Sequence, residues 1–261
     1  MRIVRFAAQR KTRYGILEDK IIRSFHGSPF AHFGRPELPF SFDGKTYELD
    51  KIKLLSPCLP SKIVALGLNY RSHAEETKLP IPQVPLVFLK PSTAVIGPGD
   101  EIVLPPLPKR RVDYEGELGV VIGRRARNVP QGKAGDYIIG YTCVNDVSER
   151  YAQRDDGQWT RAKGYDTFAP IGPWIETEVD PSDLKLETYL NGQLRQSART
   201  SDLIFGVAEL VGFISGVMTL LPGDVIATGT PSGIGKMSPG DVVEIRIEKI
   251  GTLRNVIVAQ E

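Results

Sequence analysis

Histidine and cysteine are scarce in this chain, which has three His and two Cys among its 261 residues. Cys58 and Cys143 lie in separate apolar stretches and form no disulfide framework, so we expect both to be reduced thiols in the core. No Cys-x-x-Cys or His-Glu-x-x-His pattern occurs. A zinc site would therefore lack its usual ligands.

Long runs of one charge are also missing. The chain has 33 basic and 31 acidic side chains, a formal net charge of +2. This balance argues against nucleic acid as a partner. The first twenty residues carry six Lys or Arg and no long apolar run, so we expect no signal peptide.

One long apolar stretch covers residues 203–221, but it contains Glu209 and three glycines. It predicts a buried helix rather than a membrane span. We therefore expect a cytoplasmic protein that has neither nucleic acid nor a membrane as its partner.

Glycine and proline are frequent, at 26 and 20 residues, and β-branched runs are many. This composition predicts short strands joined by tight turns. We predict a β-rich α+β fold with a small N-terminal β domain over residues 1–58 and a catalytic domain over residues 59–261. The predicted strands are Arg2–Ala7, Gly15–Leu17, Lys20–Phe25, Lys62–Leu68, Val84–Lys90, Glu101–Leu104, Val112–Ile122, Tyr137–Asn145, Phe168–Glu176, Lys185–Leu190, Asp224–Thr228 and Asp241–Ile247. The predicted helices are Ser72–Lys78, Ser148–Arg154 and about Ile204–Met218, the last with Ser201 or Asp202 as its N-cap.

An acidic strand over residues 112–122 is the most informative segment. Residues two apart in a strand face the same side, so Asp113, Glu115 and Glu117 are predicted to share one face. Acidic residues are poor strand formers, and adjacent carboxylates repel one another unless a cation lies among them. No base is interleaved, and the sequence shows no other cation beside these acids. A metal site is the favoured reading, and a solvent-facing strand is the alternative.

Asp146 ends a second apolar strand and is a candidate third ligand beside Glu115 and Glu117. A residue near a helix cap is the alternative interpretation of Asp146 alone. An all-oxygen ligand set favours Mg²⁺ or Mn²⁺, with Ca²⁺ as a further candidate.

Two further segments offer groups for chemistry. His73 and Glu76 are three residues apart in a predicted helix and share a face, so Glu76 is able to orient His73 as a general base. Lys163 precedes a glycine in a loop, where a cation stabilises an enolate or binds a carboxylate. The alternatives are that His73 and Glu76 form an ordinary surface pair and that Lys163 is a solvated loop lysine.

The glycine-rich loop over residues 228–235 is able to present backbone N–H groups to an anion. A tight turn is the simpler interpretation and is compatible with anion binding. The loop is not a P-loop, because that pattern requires Gly at position 230 and Ser or Thr at position 237, where this chain has Thr230 and Met237.

Several motifs occur together in a fixed order. They are Asp113-Tyr-Glu-Gly-Glu117, Asn145-Asp146, Arg161-Ala-Lys-Gly164, Asp166-Thr-Phe168 and Leu221-Pro-Gly-Asp-Val-Ile-Ala-Thr-Gly-Thr-Pro231. In this combination the chain resembles the fumarylacetoacetate hydrolase family over roughly residues 60–261. That family includes acylpyruvate hydrolases, oxaloacetate decarboxylases and the isomerase of 2-hydroxyhepta-2,4-diene-1,7-dioate.

The resemblance implies a mixed β-roll catalytic domain with a small N-terminal β domain, usually in a homodimer. It implies that Mg²⁺ or Mn²⁺ is held by Glu115, Glu117 and Asp146. It also implies a catalytic role for His73, Glu76 and Lys163, and contacts with the substrate by Gln153, Gly229 and Thr230.

We therefore predict a metal-dependent enzyme that forms an enolate from a small 2-oxo acid. The preferred reaction is isomerisation of 2-hydroxyhepta-2,4-diene-1,7-dioate in aromatic catabolism, together with decarboxylation of its precursor. Hydrolysis of an acylpyruvate and decarboxylation of oxaloacetate are the alternatives, because one enolate serves all three reactions. A non-catalytic binding protein of the same fold is the alternative from another class.

Overall fold

Strands dominate the structure, a computed structural model that describes residues 1–35, 37–78 and 80–260. The strands are β1 (Arg2–Ala8), β2 (Lys11–Glu18), β3 (Ile21–Phe25), β4 (Phe42–Glu48), β5 (Lys53–Leu55), β6 (Ile63–Gly67), β7 (Leu86–Lys90), β8 (Val95–Ile96), β9 (Glu101–Leu104), β10 (Val112–Tyr114), β11 (Gly116–Ile122), β12 (Ile138–Asn145), β13 (Ser148–Glu149), β14 (Ala169–Glu176), β15 (Lys185–Leu190), β16 (Gln193–Arg199), β17 (Val225–Ala227), β18 (Gly235–Lys236), β19 (Val242–Ile247) and β20 (Gly251–Ala259). The α-helices are α1 (Pro29–His32), α2 (Arg71–Thr77), α3 (Arg150–Asp155), α4 (Thr160–Lys163) and α5 (Val207–Val217).

The strands form three sheets, so the predicted β-rich α+β class is confirmed. A twelve-stranded sheet has the order β4-β3-β2-β1-β14-β12-β11-β17-β6-β7, with β5 added beside β1 and β8 beside β14. A five-stranded sheet has the order β16-β15-β19-β20-β9, and a small sheet has the order β13-β10-β18. The largest apolar core includes Leu118 of the first sheet, Ile245 of the second and Leu210 of α5, so it joins the two larger sheets and the helix.

The N-terminal strands continue the large sheet. β1 pairs antiparallel with β14, so that Ile3 lies opposite Ile175. Ile3 and Phe25 also belong to the same apolar cluster as Ile171 and Ile175. The N-terminal residues therefore share a sheet and a core with the rest of the chain, and the domain boundary at residue 58 stays a prediction.

The predicted strand over residues 112–122 is wrong in one respect, because it is interrupted at Glu115. Side-chain oxygens accept backbone N–H groups there, in place of hydrogen bonds between strands. The Glu115 N–H donates to Asn145 Oδ1 over 3.0 Å, and the Gly116 N–H donates to Gln196 Oε1 over 3.0 Å. The Asp146 N–H donates to the Glu115 carbonyl over 2.8 Å. The break moves β10 into the small sheet, so Asp113 leaves the face that Glu117 occupies.

Two helices also begin two or more residues later than predicted. The helix predicted from Ser148 begins at Arg150, because Ser148 and Glu149 pair with β10 and Glu149 caps the helix. α5 begins at Val207 after the N-cap Gly206, and residues 200–202 form a 3₁₀ turn instead. α5 spans 11 residues, and no helix in the described ranges is long and apolar enough to cross a membrane.

Asn69 joins three segments beneath α2. Its side-chain amide donates to the carbonyls of Phe205 (3.1 Å) and Thr228 (2.7 Å), and its Oδ1 accepts the Phe205 N–H over 2.8 Å. The residue is fully buried, so water cannot replace these bonds. Asn69 therefore ties the start of α2 to the glycine-rich loop after β17.

We predict that Asn69→Ala lowers the free energy of unfolding by about 2–4 kcal/mol, because it leaves two buried carbonyls and one buried N–H without partners. Urea unfolding followed by circular dichroism measures the change. Glu75→Ala, on the exposed face of the same helix, is the control and is expected to change stability by less than about 0.5 kcal/mol. Equal losses in the two variants would contradict an anchoring role for Asn69.

Candidate metal centre and active-site cleft

Three buried carboxylates meet where β11 and β12 come together. Gly116 lies opposite Asn145 in this antiparallel pair, which places Glu115 and Glu117 beside Asp146. One carboxylate oxygen from each of the three residues lies within 4.8 Å of the others. Glu115 is 5% exposed and the other two are fully buried. The two predicted strands thus bring the three predicted metal ligands together.

Three cations surround these acids, so the expectation that no cation lies beside them is wrong. Lys163 Nζ lies 2.7 Å from both Glu115 Oε2 and Asp146 Oδ2. Lys90 Nζ donates to Asp146 Oδ1 over 2.5 Å, and Arg150 Nη2 lies 2.6 Å from Glu115 Oε1. Each cation comes from a segment distant in sequence from residues 112–122. Spacing within the acidic segment could not reveal them.

The pKa values of Glu115 and Glu117 are shifted in opposite directions. Burial alone would raise the pKa of Glu115, but the charges and hydrogen bonds of Lys163 and Arg150 outweigh it and hold that pKa below its usual range. Burial raises the pKa of Glu117 well above its usual value, and the negative charges of Asp146 and Glu115 add to this effect. Glu117 is therefore the acid whose negative charge is least compensated by the protein.

The three buried carboxylates fit a divalent cation, because one of their oxygens lacks a partner. Glu117 Oε1 is buried and has no hydrogen-bond partner in the part of the chain that the structure describes. A buried acceptor without a partner is costly unless something else satisfies it. A cation bound by the three carboxylates would supply both the missing partner and the missing positive charge. Oxygen ligands of this kind suit Mg²⁺, Mn²⁺ or Ca²⁺.

The other oxygen of Glu117 is fixed by the glycine-rich loop. The Gly229 N–H donates to Glu117 Oε2 over 2.8 Å. Gly229 has a φ of +95°, and a Cβ there would lie 2.8 Å from the Cβ of Asn69. Only glycine suits this backbone conformation and this approach, so the loop turns its N–H into the acidic cluster.

A cleft of about 550 Å³ opens beside the acids, a volume that suits a small-molecule ligand. The predicted site residues that line it are Glu115, His73, Gln153, Lys163 and Thr230. Glu117 and Asp146 lie beneath it, fully buried.

His73 and Glu76 form a hydrogen-bonded pair at one side of the cleft. His73 Nδ1 lies 3.0 Å from Glu76 Oε2, as their spacing on α2 predicts. Glu76 Oε1 accepts the Gly233 N–H over 3.0 Å. Glu76 therefore orients the imidazole and also links α2 to the glycine-rich loop.

Gln153 and Thr230 are held by neighbours in the cleft wall. Gln153 Oε1 accepts a hydrogen bond from Arg150 Nη1 over 2.7 Å. Thr230 Oγ1 donates to the Gly116 carbonyl over 2.9 Å and accepts from Gln196 Nε2 over 2.8 Å. Both side chains thus have a fixed orientation at the surface of the cleft.

Asp113 is separate from the triad, which corrects the prediction of one shared acidic face. Its buried carboxylate accepts from Arg111 Nε over 3.1 Å and from Arg150 Nε over 2.9 Å. Asp113 therefore orients two arginines that line the cleft.

Lys90 and Trp159 are two site residues that the sequence analysis missed. A lysine that ends an apolar strand, as Lys90 ends β7, is a signal that was available. Trp159 lines the cleft against Gly67, where a Cβ would lie 2.7 Å from the indole ring. No sequence spacing links Gly67 to Trp159, since their contact depends on the tertiary fold.

Comparison with known proteins identifies the family of this chain. Residues 62–258 match the family profile described as "Fumarylacetoacetate (FAA) hydrolase C-terminal", and residues 1–57 match one described as "Rv2993c-like, N-terminal". The chain belongs to the fumarylacetoacetate hydrolase family. It is a member of a family of enzymes, as the sequence motifs indicate.

Similar members of the fumarylacetoacetate hydrolase family carry different activities in their names. The crystal structure of 2-hydroxyhepta-2,4-diene-1,7-dioate isomerase from Mycobacterium marinum is 45% identical, with a TM-score of 0.90 over 100% of this chain and 99% of that one. A 2,4-didehydro-3-deoxy-L-rhamnonate hydrolase from Sphingomonas sp. is 47% identical over 75% of this chain and 73% of its own length. The maleylpyruvate hydrolase from Sphingobium sp. SYK-6, crystallised with manganese(II) and pyruvate, is 32% identical, with a TM-score of 0.81 and full coverage of both chains.

We predict that Glu117→Gln stabilises the metal-stripped protein more at pH 8 than at pH 5. The folded state raises the pKa of Glu117, so it binds the proton more tightly than the unfolded chain, where a Glu pKa is about 4.3. The wild type therefore loses stability as the pH rises from about 4.3 through the raised pKa, whereas the neutral amide does not.

Thermal unfolding of chelator-treated wild type and variant at the two pH values measures this difference. Glu75→Gln is the exposed control and is expected to follow the wild type at both. A Glu117→Gln variant with the same pH dependence as the wild type would contradict the charge imbalance described above.

Proposed function

We propose that this protein is a divalent-metal-dependent enzyme that forms an enolate from a small 2-oxo acid. The observation that carries the proposal is the buried triad Glu115, Glu117 and Asp146, of which Glu115 lines a cleft that also contains Lys163 and His73. Buried acids that lie beside a histidine and a lysine at one cavity are typical of an active site.

The triad would hold Mg²⁺ or Mn²⁺, with Ca²⁺ as a further candidate. When bound, such a cation supplies Lewis-acid stabilisation of negative charge on the 2-oxo group. The presence of manganese and pyruvate together in the Sphingobium maleylpyruvate hydrolase supports both the metal class and the 2-oxo acid class.

The chain's own groups carry the rest of the chemistry. Lys163 is buried, and although burial alone would lower its pKa, the charges of Asp146 and Glu115 keep that pKa raised. The ammonium therefore stays charged and stabilises the developing enolate oxygen. His73, oriented by Glu76, moves a proton to or from the carbon beside the 2-oxo group, or activates water.

The carboxylate of the substrate would bind at the glycine-rich loop. Thr230 lines the cleft there, and Gly229 positions the loop against Glu117. Gln153, fixed by Arg150, presents its amide to the same cavity. These three residues would bind and orient the substrate rather than take part in proton transfer.

For the reaction we favour isomerisation of 2-hydroxyhepta-2,4-diene-1,7-dioate, with decarboxylation of its precursor. The 45% identity to the M. marinum isomerase over the whole chain supports this choice. Hydrolysis of a C–C bond is the second candidate, and the 47% identical Sphingomonas hydrolase favours it. Oxaloacetate decarboxylation uses the same enolate.

The homodimer and the cytoplasmic location stay predictions.

A substrate panel tests the proposal. Chelator-treated protein is assayed by absorbance against acetylpyruvate, oxaloacetate and 2-hydroxyhepta-2,4-diene-1,7-dioate, with and without added Mg²⁺ or Mn²⁺. We expect metal-dependent turnover of one compound, which also identifies the reaction. Absence of metal binding would contradict the proposal, and metal-independent turnover would contradict the role of the triad.

We predict that Glu115→Ala abolishes metal-dependent turnover, because it removes one of three ligands. His73→Ala is expected to lower kcat by about 10²- to 10⁴-fold through loss of proton transfer while leaving metal affinity intact. Calorimetric titration with Mn²⁺ separates the two effects. His26→Ala, at an exposed site just after β3, is the control and should leave both quantities unchanged. Full metal-dependent activity of Glu115→Ala would rule out the assignment of that ligand.

A further inference from the structure

The cleft carries more positive charge than the enolate chemistry uses. Four basic side chains, Arg111, Arg150, Arg154 and Lys163, line it, against the two acids Asp113 and Glu115. Lys163 contacts two of the metal-ligand candidates, and Arg150 has a protein oxygen within 2.9 Å of each of its side-chain nitrogens. Its Nε donates to Asp113, its Nη1 donates to Gln153, and its Nη2 lies 2.6 Å from Glu115 Oε1.

Arg111 differs from Arg150 because only one of its side-chain nitrogens is used within the described ranges. Its Nε donates to Asp113 over 3.1 Å, which fixes the plane of the guanidinium. Its two terminal nitrogens have no hydrogen-bond partner there, although the side chain is about half exposed at 52%. A planar pair of N–H donors held in this way matches the geometry of a carboxylate.

The backbone of Arg111 is fixed as firmly as its side chain. Its N–H donates to Glu149 Oε1 over 3.1 Å, and its carbonyl accepts the Arg150 N–H over 2.8 Å. Glu149 also caps α3, the helix that carries Gln153. Arg111 is therefore placed by the same elements that build the cleft, unlike a mobile surface arginine.

Arg154 is a weaker candidate for the same role. Its Nε donates to the adjacent Asp155 over 2.7 Å, and its side chain is 69% exposed. Asp113 is fully buried, but Asp155 is itself 53% exposed, so it does not hold the Arg154 guanidinium in one orientation at the cleft.

An apolar wall completes the cleft. Leu66, Leu86, Trp159 and Ile234 line it together with the basic residues. A carbon chain is able to pack on these side chains while its two ends meet polar groups. A substrate with one charged end would leave the free donors of Arg111 unused.

We propose that Arg111 binds a second carboxylate, at the far end of the substrate from the 2-oxo acid group, so that this enzyme selects dicarboxylic 2-oxo acids. This inference rests on the proposed function and narrows it. It favours the heptadienedioate over acetylpyruvate, whose far end is uncharged.

The test compares two ligands of equal length on Mn²⁺-loaded protein by calorimetry. 2-Oxoadipate carries a terminal carboxylate where 2-oxohexanoate carries a methyl group. The wild type is expected to bind 2-oxoadipate about 10- to 100-fold more tightly, as one charge-assisted bidentate contact provides. Arg111→Gln should abolish this preference and leave the affinity for 2-oxohexanoate unchanged. Arg111→Lys should keep part of it, since the charge remains without the fork.

Two controls remove a nearby positive charge without removing the proposed contact. They are Lys109→Gln, which is exposed two residues earlier, and Arg154→Gln. Both should keep most of the preference for 2-oxoadipate. A wild type without the preference, or loss of the preference in Arg154→Gln but not in Arg111→Gln, would overturn the inference. Failure of both ligands to bind better with Mn²⁺ than without it would instead contradict the proposed function.

Discussion

Three carboxylates buried within 4.8 Å of one another must be balanced by positive charge. The protein supplies part of that balance through Lys90, Lys163 and Arg150, each drawn from a different part of the chain. Mutual repulsion and lost hydration would otherwise destabilise the folded state. Much of the surrounding structure, from the interrupted acidic strand to the short helices α3 and α4, serves to place these charges.

The interruption at Glu115 shows how the fold reaches this arrangement. A continuous strand would put Asp113, Glu115 and Glu117 on one face and concentrate their charge. The break sends Asp113 into a different sheet, where it orients Arg111 and Arg150 toward the cleft. Glu115 and Glu117 stay with Asp146. The acids of one short segment therefore contribute to two sites of opposite character, one that suits a cation and one that suits an anion.

The sequence predicts some of these features better than others. Alternation and apolar runs place most strands, since the side-chain period of a strand is local, and the spacing of His73 and Glu76 predicts their contact. The break at Glu115 depends on the side chains of Asn145 and Gln196, which are distant in sequence, so no local pattern indicates it. Trp159 escapes prediction for the same reason, whereas the position of Lys90 at the end of an apolar strand was a local signal. β20 was also missed, because its polar residues Arg254 and Asn255 interrupt the apolar pattern.

The pairing of β1 with β14 covers part of one strand edge in the large sheet. Ile3 covers Ile175 in the ladder, and the N-terminal ammonium of Met1 lies 2.9 Å from Glu176. Without residues 1–57, the side of β14 at Ile175 and Glu176 would have no paired strand. Such an edge is a template for pairing with another chain. The N-terminal strands, none of whose residues lines the cleft, therefore cover a strand edge that would otherwise be open to another chain.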